Sequence, residues 1–182
     1  MTEYIEQIVR QYGYLAVILG GMIEGESIIL TASAFAAQGL LDIRYVTLIA
    51  FLASTIADQL LFFLGKHFGH HLGRSEHFQS FRPRIAAAIL QYPRALIFGF
   101  RFIYGVRTIT PIIIGSVDFP TFRFCRLNFV AAAAWTILSC GAGYLCGHYA
   151  TLGSYTSYAM VALGIAGYFL LLRLLHRAFI HP

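Results

Sequence analysis

The sequence predicts an all-α integral membrane protein. It reads as an inverted repeat of a re-entrant hairpin plus a transmembrane helix, with an extra C-terminal transmembrane helix. Three observations carry this. Of 182 residues, 58% are hydrophobic and only 12% charged, where a soluble domain carries about 25% charged. Three stretches are long and apolar enough for a span, which needs about 20 such residues. Two more apolar stretches hold charges near their middles, a pattern unsuited to a helix facing lipid. A soluble enzyme, a disulfide-built secreted scaffold and a disordered tail are excluded, and the length suits a single membrane domain over residues 1–182.

Residues 1–11 carry Glu3, Glu6 and Arg10, not the basic leader of a cleaved signal. Tyr4, Ile5, Ile8 and Val9 mark one side of a short amphipathic helix. Residues 12–41 form the first unusual stretch, with Glu24 and Glu26 inside it and Gly20, Gly21 and Gly25 to break it. A charge at the bilayer centre costs about 2.5–3.5 kcal/mol on insertion scales. Irregular backbone is tolerated there where it is buried in protein or lines a wet cavity. A re-entrant hairpin meets both conditions. An ordinary span follows at 45–65, interrupted only by Asp58.

The segment 66–94 is polar and basic, with Arg74, Arg82, Arg84 and four His between Lys66 and Arg94. The positive-inside rule puts it in the cytoplasm. Residues 95–119, with Arg101, Arg107, Gly99, Gly105 and Pro111, read as a second hairpin. Uncharged spans at 127–147 and 155–172 complete the chain, leaving the C-terminus cytoplasmic beside Arg173 and Arg177. A shift of 80 superposes Tyr12 on Tyr92, Ile23 on Ile103 and Gly25 on Gly105. A shift of 78 superposes Gly65 and Gly69 on Gly143 and Gly147. Two halves of opposite orientation are a transporter architecture, with the site near the midplane where broken segments meet.

The candidate chemistry lies in the hairpins. Arg101 and Arg107 are six residues apart, about 120° on a continuous helix, and a break near Gly105 would let both point inward. Guanidinium offers a planar fork that matches phosphate oxygens. One interpretation is a phosphate-headgroup site at Arg101 and Arg107, flanked by protonatable Glu24, Glu26 and Asp58. The other is mutual neutralisation that only holds the hairpins together. Asp58 fits either a proton acceptor or a salt-bridge partner. Asn128 suits bonding of backbone freed at Pro111, and Trp135 suits packing. The pairs Gly65/Gly69 and Gly143/Gly147 permit close helix approach.

No metal site is expected from the scattered His, no cofactor is implied, and nucleotide and serine-hydrolase motifs are absent. The +5 net charge suits anionic lipid at the cytoplasmic face, without nucleic acid. Cys125, Cys140 and Cys146 read as small packing residues.

The run Phe100-Arg101-Phe102-Ile103-Tyr104-Gly105-Val106-Arg107, with Pro111, Gly115, Asn128 and Trp135, resembles the signature of the DedA family, the SNARE-associated or VTT-domain membrane proteins. Asp58 with Phe62, Gly65 and Gly69 resembles its first-half motif, and Glu24-Gly25-Glu26 its acidic hairpin. The likeness covers roughly residues 10–150. It departs at Tyr104, Ile114 and Ala131, where the family often has Pro, Ala and Gly. The resemblance implies a bacterial inner-membrane protein that moves lipids between leaflets, such as undecaprenyl phosphate or phospholipids, with links to the proton motive force. It also implies functional roles for Glu24, Glu26, Asp58, Arg101 and Arg107, with Gly25, Gly105, Pro111, Gly115, Asn128 and Trp135 shaping the site.

The expectation is a lipid translocase whose partners are a phosphate-bearing lipid and protons; a homo-oligomer is compatible with it. A proton-coupled antiporter for small ions or drugs would use the same carboxylates. A membrane enzyme acting on phospholipid phosphate is disfavoured, since no His, Ser and acid cluster marks a nucleophile and base.

Overall fold

Seven α-helices and one 3₁₀ turn make up the secondary structure of the described residues, which are 2–23, 26–72, 76–102, 106–117 and 119–151 of a computed structural model. The helices are α1 (Thr2–Ile23), α2 (Glu26–Ala37), α3 (Ile43–Leu72), α4 (Glu76–Gln91), α5 (Pro93–Gly99), α6 (Val106–Ser116) and α7 (Thr121–Thr151), with the 3₁₀ turn at Phe100–Phe102. No strand occurs among them. The expected span at 155–172, and with it the C-terminus, lies outside the described residues, as do Glu24, Gly25 and Gly105.

Two helices are long and apolar enough to cross a membrane, α3 over Ile43–Gly69 and α7 over Thr121–Tyr149. They contain the spans expected at 45–65 and 127–147 and exceed them at both ends. Hydropathy marks only the hydrocarbon-facing part, whereas helical hydrogen bonding continues into polar flanks such as Lys66 and His67. The boundary expected after residue 11 is no break, since α1 runs uninterrupted from Thr2 to Ile23. The described residues of 66–94 are largely helical, in the end of α3, in α4 and in the start of α5. Within them α4 buries Ile85 and Ile89 at a spacing of four, one helical face that the surrounding charge obscures in the sequence.

The chain forms two compact units, one of residues 1–54 and 133–182, the other of residues 55–132. Thus α3 and α7 each contribute a part to each unit. In the first unit, α1 and α2 pack as a helical hairpin. The C-terminus of α2 is closed by the Gly39 and Leu40 amides, which donate to the Ala36 and Phe35 carbonyls at 3.1 Å each. This double bond requires a left-handed residue, supplied by Gly39 at φ 77°. Asp42 then caps α3, its Oδ1 accepting from the Arg44 amide at 2.8 Å. The Tyr14 hydroxyl accepts from the Asp42 amide at 3.0 Å, tying α1 to that turn.

In the second unit the core gathers Phe62, Ile85, Ile89, Leu96, Ile97, Phe100, Ile113, Ile114, Phe119, Phe124 and Ala131. Phe62 and Phe124 stack with centroids 4.3 Å apart. Pro93 opens α5 at its first position, where its missing amide hydrogen is no loss, and forces Tyr92 out of helical geometry.

The glycine pairs take the close approach their spacing suggests. Gly65 of α3 lies against the Ile112 backbone of α6, and Gly69 against Ser116. In the other unit, Gly143 and Gly147 of α7 lie against Leu30 and Ala34 of α2. A Cβ on Gly143 would fall 2.5 Å from the Leu30 carbonyl oxygen, whereas one on Gly141 would meet nothing. In each unit, then, a short apolar helix beds on a Gly-x-x-x-Gly surface of a long helix.

The distribution of polarity is inverted relative to a soluble protein. Leu48, Leu52, Ile56 and Leu60 of α3 and Phe129, Val130, Ile137 and Leu138 of α7 are exposed, while Asp58, Arg101, Arg107 and Asn128 are buried. Ionisable groups face protein and hydrocarbon faces outward when lipid is the solvent.

Candidate functional site

Arg101 sits in the 3₁₀ turn after α5, Arg107 in the first turn of α6, Asp58 midway along α3 and Asn128 on α7. All four belong to the second unit, and their exposures are 1%, 6%, 1% and 0%. Arg101 Nη2 donates to Asp58 Oδ2 in a buried ion pair. The same nitrogen donates to Asn128 Oδ1 at 2.7 Å. The guanidinium also lies over the Phe100 ring, 5.8 Å from its centroid, where the ring quadrupole favours a cation. Three segments distant in sequence thus converge on one guanidinium.

Each position has a local cause. The 3₁₀ turn that follows α5 carries Arg101, whose guanidinium reaches Asp58 on α3. Pro111 lacks the amide that would bond the Arg107 carbonyl four residues earlier, and the Thr110 hydroxyl donates to the Val106 carbonyl at 2.7 Å. The α6 backbone passes close over α3 because both contact surfaces are bare: Gly115 lies against the Phe62 backbone, and Gly65 against that of Ile112. Asp58 and Gly65, seven residues apart, share that face.

Asn128 does not serve backbone freed at Pro111; its Oδ1 is taken by Arg101, and its buried Nδ2 has no partner among the described residues. Trp135 does more than pack. Wholly buried in the first unit, it donates through Nε1 to Glu26 Oε1 at 3.4 Å. The sequence-based site therefore falls into two groups, Glu26 with Trp135 in the first unit and Asp58, Arg101, Arg107 and Asn128 in the second. Sequence analysis missed the buried hydroxyls of Ser33, Ser54, Thr110, Thr136 and Ser139. Their only signal was helical spacing relative to Glu26, Asp58 and the glycines, which an apolar span masks.

The second unit also shows how the chain ends its crossing. Lys66 Nζ donates to Thr121 Oγ1 at 2.8 Å, bringing the last turns of α3 beside the start of α7. There Arg123 and Arg126 lie over Phe119 and Phe122, 5.5 and 5.7 Å from the ring centroids. Cations stacked on aromatic rings at one end of two long apolar helices suit a membrane–water interface.

Comparison with known proteins agrees with this inside-out architecture. The model of the VTT domain matches residues 23–145, from the end of α1 into α7 and across all described site residues. The chain is 37% identical over 142 residues to inner membrane protein YohD of Escherichia coli (strain K12), covering 77% of this chain and 73% of that protein. No solved structure matches it. A hairpin acid, a charged pair buried between α3 and the 3₁₀ turn, and glycine-bedded α6 all fall within the matched span, and the chain belongs to the VTT-domain family of membrane proteins, also called the DedA family.

Proposed function

We propose that this protein is a translocase for a phosphate-bearing lipid, such as undecaprenyl phosphate or a phospholipid, in a bacterial inner membrane. The observation that carries the proposal is Arg101, a guanidinium buried within an apolar exterior and held by two oxygen acceptors, Asp58 and Asn128, of the kind a phosphate also offers. The buried charged side chains described in this unit are two arginines and one aspartate, so the cluster favours an incoming anion. Phosphate would take the place of the Asp58 carboxylate on Arg101, with Arg107 as a second donor, while the lipid chains stay in the bilayer. The released Asp58 carboxylate would then be available to take up a proton. Glu26, and Glu24 beside it in sequence, offer further protonatable groups. Protonation and lipid binding would in this way be linked by competition for one guanidinium.

Reconstitution into vesicles with headgroup-labelled lipid tests this. Leaflet exchange above protein-free vesicles is expected. Proton flux without lipid movement would make the protein an antiporter instead, and headgroup release would make it an enzyme.

The proposal includes a re-entrant hairpin in each unit and an orientation with residues 66–94 and the C-terminus in the cytoplasm. The contact of Lys66 with Thr121, beside Arg123 and Arg126, supports one shared basic face. So does the matching bed of α2 on Gly143/Gly147 and of α6 on Gly65/Gly69. In a Cys-free variant with single cysteines introduced in turn, an impermeant thiol reagent added outside should label position 42 but not 74 or 177. Labelling at 74 or 177 in intact cells would overturn the orientation.

A further inference from the structure

The first three turns of α7 divide sharply around the helix. By the 3.6-residue period, Phe122, Arg123, Arg126, Phe129 and Val130 fall within about a third of its circumference, and all five are exposed. Phe124, Asn128, Ala131 and Ala132 are buried on the other side, where Asn128 meets Arg101. The exposed face is therefore turned away from the buried charge cluster. It begins in aromatic and basic side chains and continues in apolar ones, the order in which a helix passes from water into hydrocarbon.

Arg123 and Arg126 call for an anion that the described residues do not supply. No hydrogen bond or ion pair joins either of them to a described residue; their contacts are the Phe119 and Phe122 rings. Of the acids in this unit, Asp58 holds Arg101, and the side chains of Glu76 and Asp118 lie outside the described ones. Lys66 donates to Thr121, which the helical period puts on the opposite side of α7 from Arg123. Like charges one turn apart on a helix repel each other, so the pair is costly without a counter-ion. Stacking occupies the face of a guanidinium and leaves its N–H donors available in the plane. Each arginine is thus steadied by a ring four residues earlier without using those donors. Side chains three apart have Cβ atoms about 5–6 Å from each other, so one phosphate can bridge both forks.

We infer that this face of α7 binds one anionic phospholipid, with its phosphodiester between Arg123 and Arg126 and an acyl chain along Phe129 and Val130. Charge complementarity selects the headgroup. A zwitterionic lipid brings its own cation beside the phosphate, whereas a net-negative one, such as phosphatidylglycerol, offsets part of the charge of the arginine pair. The apolar continuation of the face selects a lipid over a soluble anion, which would gain nothing from Phe129 and Val130. This lipid resides on the outer surface of α7. It is separate from the lipid proposed to reach Arg101, which meets the opposite side of the helix, and it fastens the first turns of α7 at the membrane edge.

Brominated phospholipids quench a tryptophan that they touch, and this gives a test on the full chain in vesicles. Val130→Trp places a reporter on the face, while Trp135, the sole natural tryptophan and wholly buried, gives a background measured in the wild type. Brominated phosphatidylglycerol should bind at the reporter about fivefold or more tightly than brominated phosphatidylcholine, the attraction expected of a basic side chain at the membrane surface. Adding Arg123→Gln and Arg126→Gln together should bring the two lipids to equal affinity. Quenching by brominated phosphatidylcholine should stay unchanged in that variant, which shows that α7 still lies in the bilayer. Inorganic phosphate, compared with chloride at the same ionic strength, should not displace the anionic lipid. Equal affinity for the two lipids with both arginines present overturns the site. So does a full preference kept by the glutamine variant, which assigns it to the general charge of the surface. Displacement by inorganic phosphate overturns the lipid as occupant in favour of a soluble anion. None of these readouts involves lipid exchange, so the site stands or falls apart from the translocase proposal.

Discussion

Arg101→Lys should lower lipid exchange nearly as far as Arg101→Ala, by about 10- to 100-fold, with the protein still inserted in the membrane. That range corresponds to losing about one hydrogen bond of a charged donor, worth about 1.5–3 kcal/mol. Lysine keeps the positive charge, but its ammonium is a compact point on a flexible stem, whereas guanidinium presents a rigid fork of donors. Arg101 already uses its geometry in the resting protein, where one nitrogen reaches Asp58 and Asn128 together while the plane lies over Phe100. Initial rates of leaflet exchange at matched protein-to-lipid ratio measure the effect. Full activity in Arg101→Lys would reduce the role of Arg101 to simple charge and remove the phosphate clamp. The same comparison at Arg107 shows whether the second buried guanidinium shares the load.

The second large effect is expected at Asp58, and it separates structural pairing from function. Asp58→Ala leaves the Arg101 charge buried without its carboxylate, and breaking one side of a buried ion pair costs about 3–5 kcal/mol. Thermal unfolding in detergent should show that loss as a marked fall in Tm. The double variant Asp58→Leu with Arg101→Met removes both charges and fills similar volume, so stability should return to near the wild-type level. Transport should not return with it. If the stable double variant exchanged lipid normally, the pair would be scaffolding alone and the functional reading of the second unit would fall. Asp58→Asn is the gentler probe: it keeps a hydrogen-bond acceptor for Arg101 but cannot titrate. It should therefore flatten any pH dependence of exchange that Asp58 contributes.

Much of the architecture was legible in the sequence because membranes impose strict rules on it. Ionisable groups that fall inside apolar segments have to face protein, and Asp58, Arg101 and Arg107 are indeed buried. Small residues four apart permit close backbone approach, and Gly65/Gly69 and Gly143/Gly147 receive α6 and α2 there. The apolar centres of α3 and α7 follow from composition over about 20 residues. The helical α4 was not legible, since two buried isoleucines are a faint stripe among Arg82, Arg84 and the histidines nearby.

By itself, then, the sequence determined the solvent of this protein, the cores of its two long helices, and which side chains would be too costly to leave facing lipid. The tertiary structure alone decided who pairs with whom. Periodicity states which face of a helix a residue occupies, but not which neighbouring helix that face meets. Asp58, Arg101 and Asn128 lie 43 and 27 residues apart along the chain, and only the bedding of α6 on the bare face of α3 brings their segments within hydrogen-bond reach. The same holds for Glu26 and Trp135, separated by 109 residues. A hydrogen bond needs its atoms within about 3 Å, and that precision comes from packed backbones, not from sequence spacing.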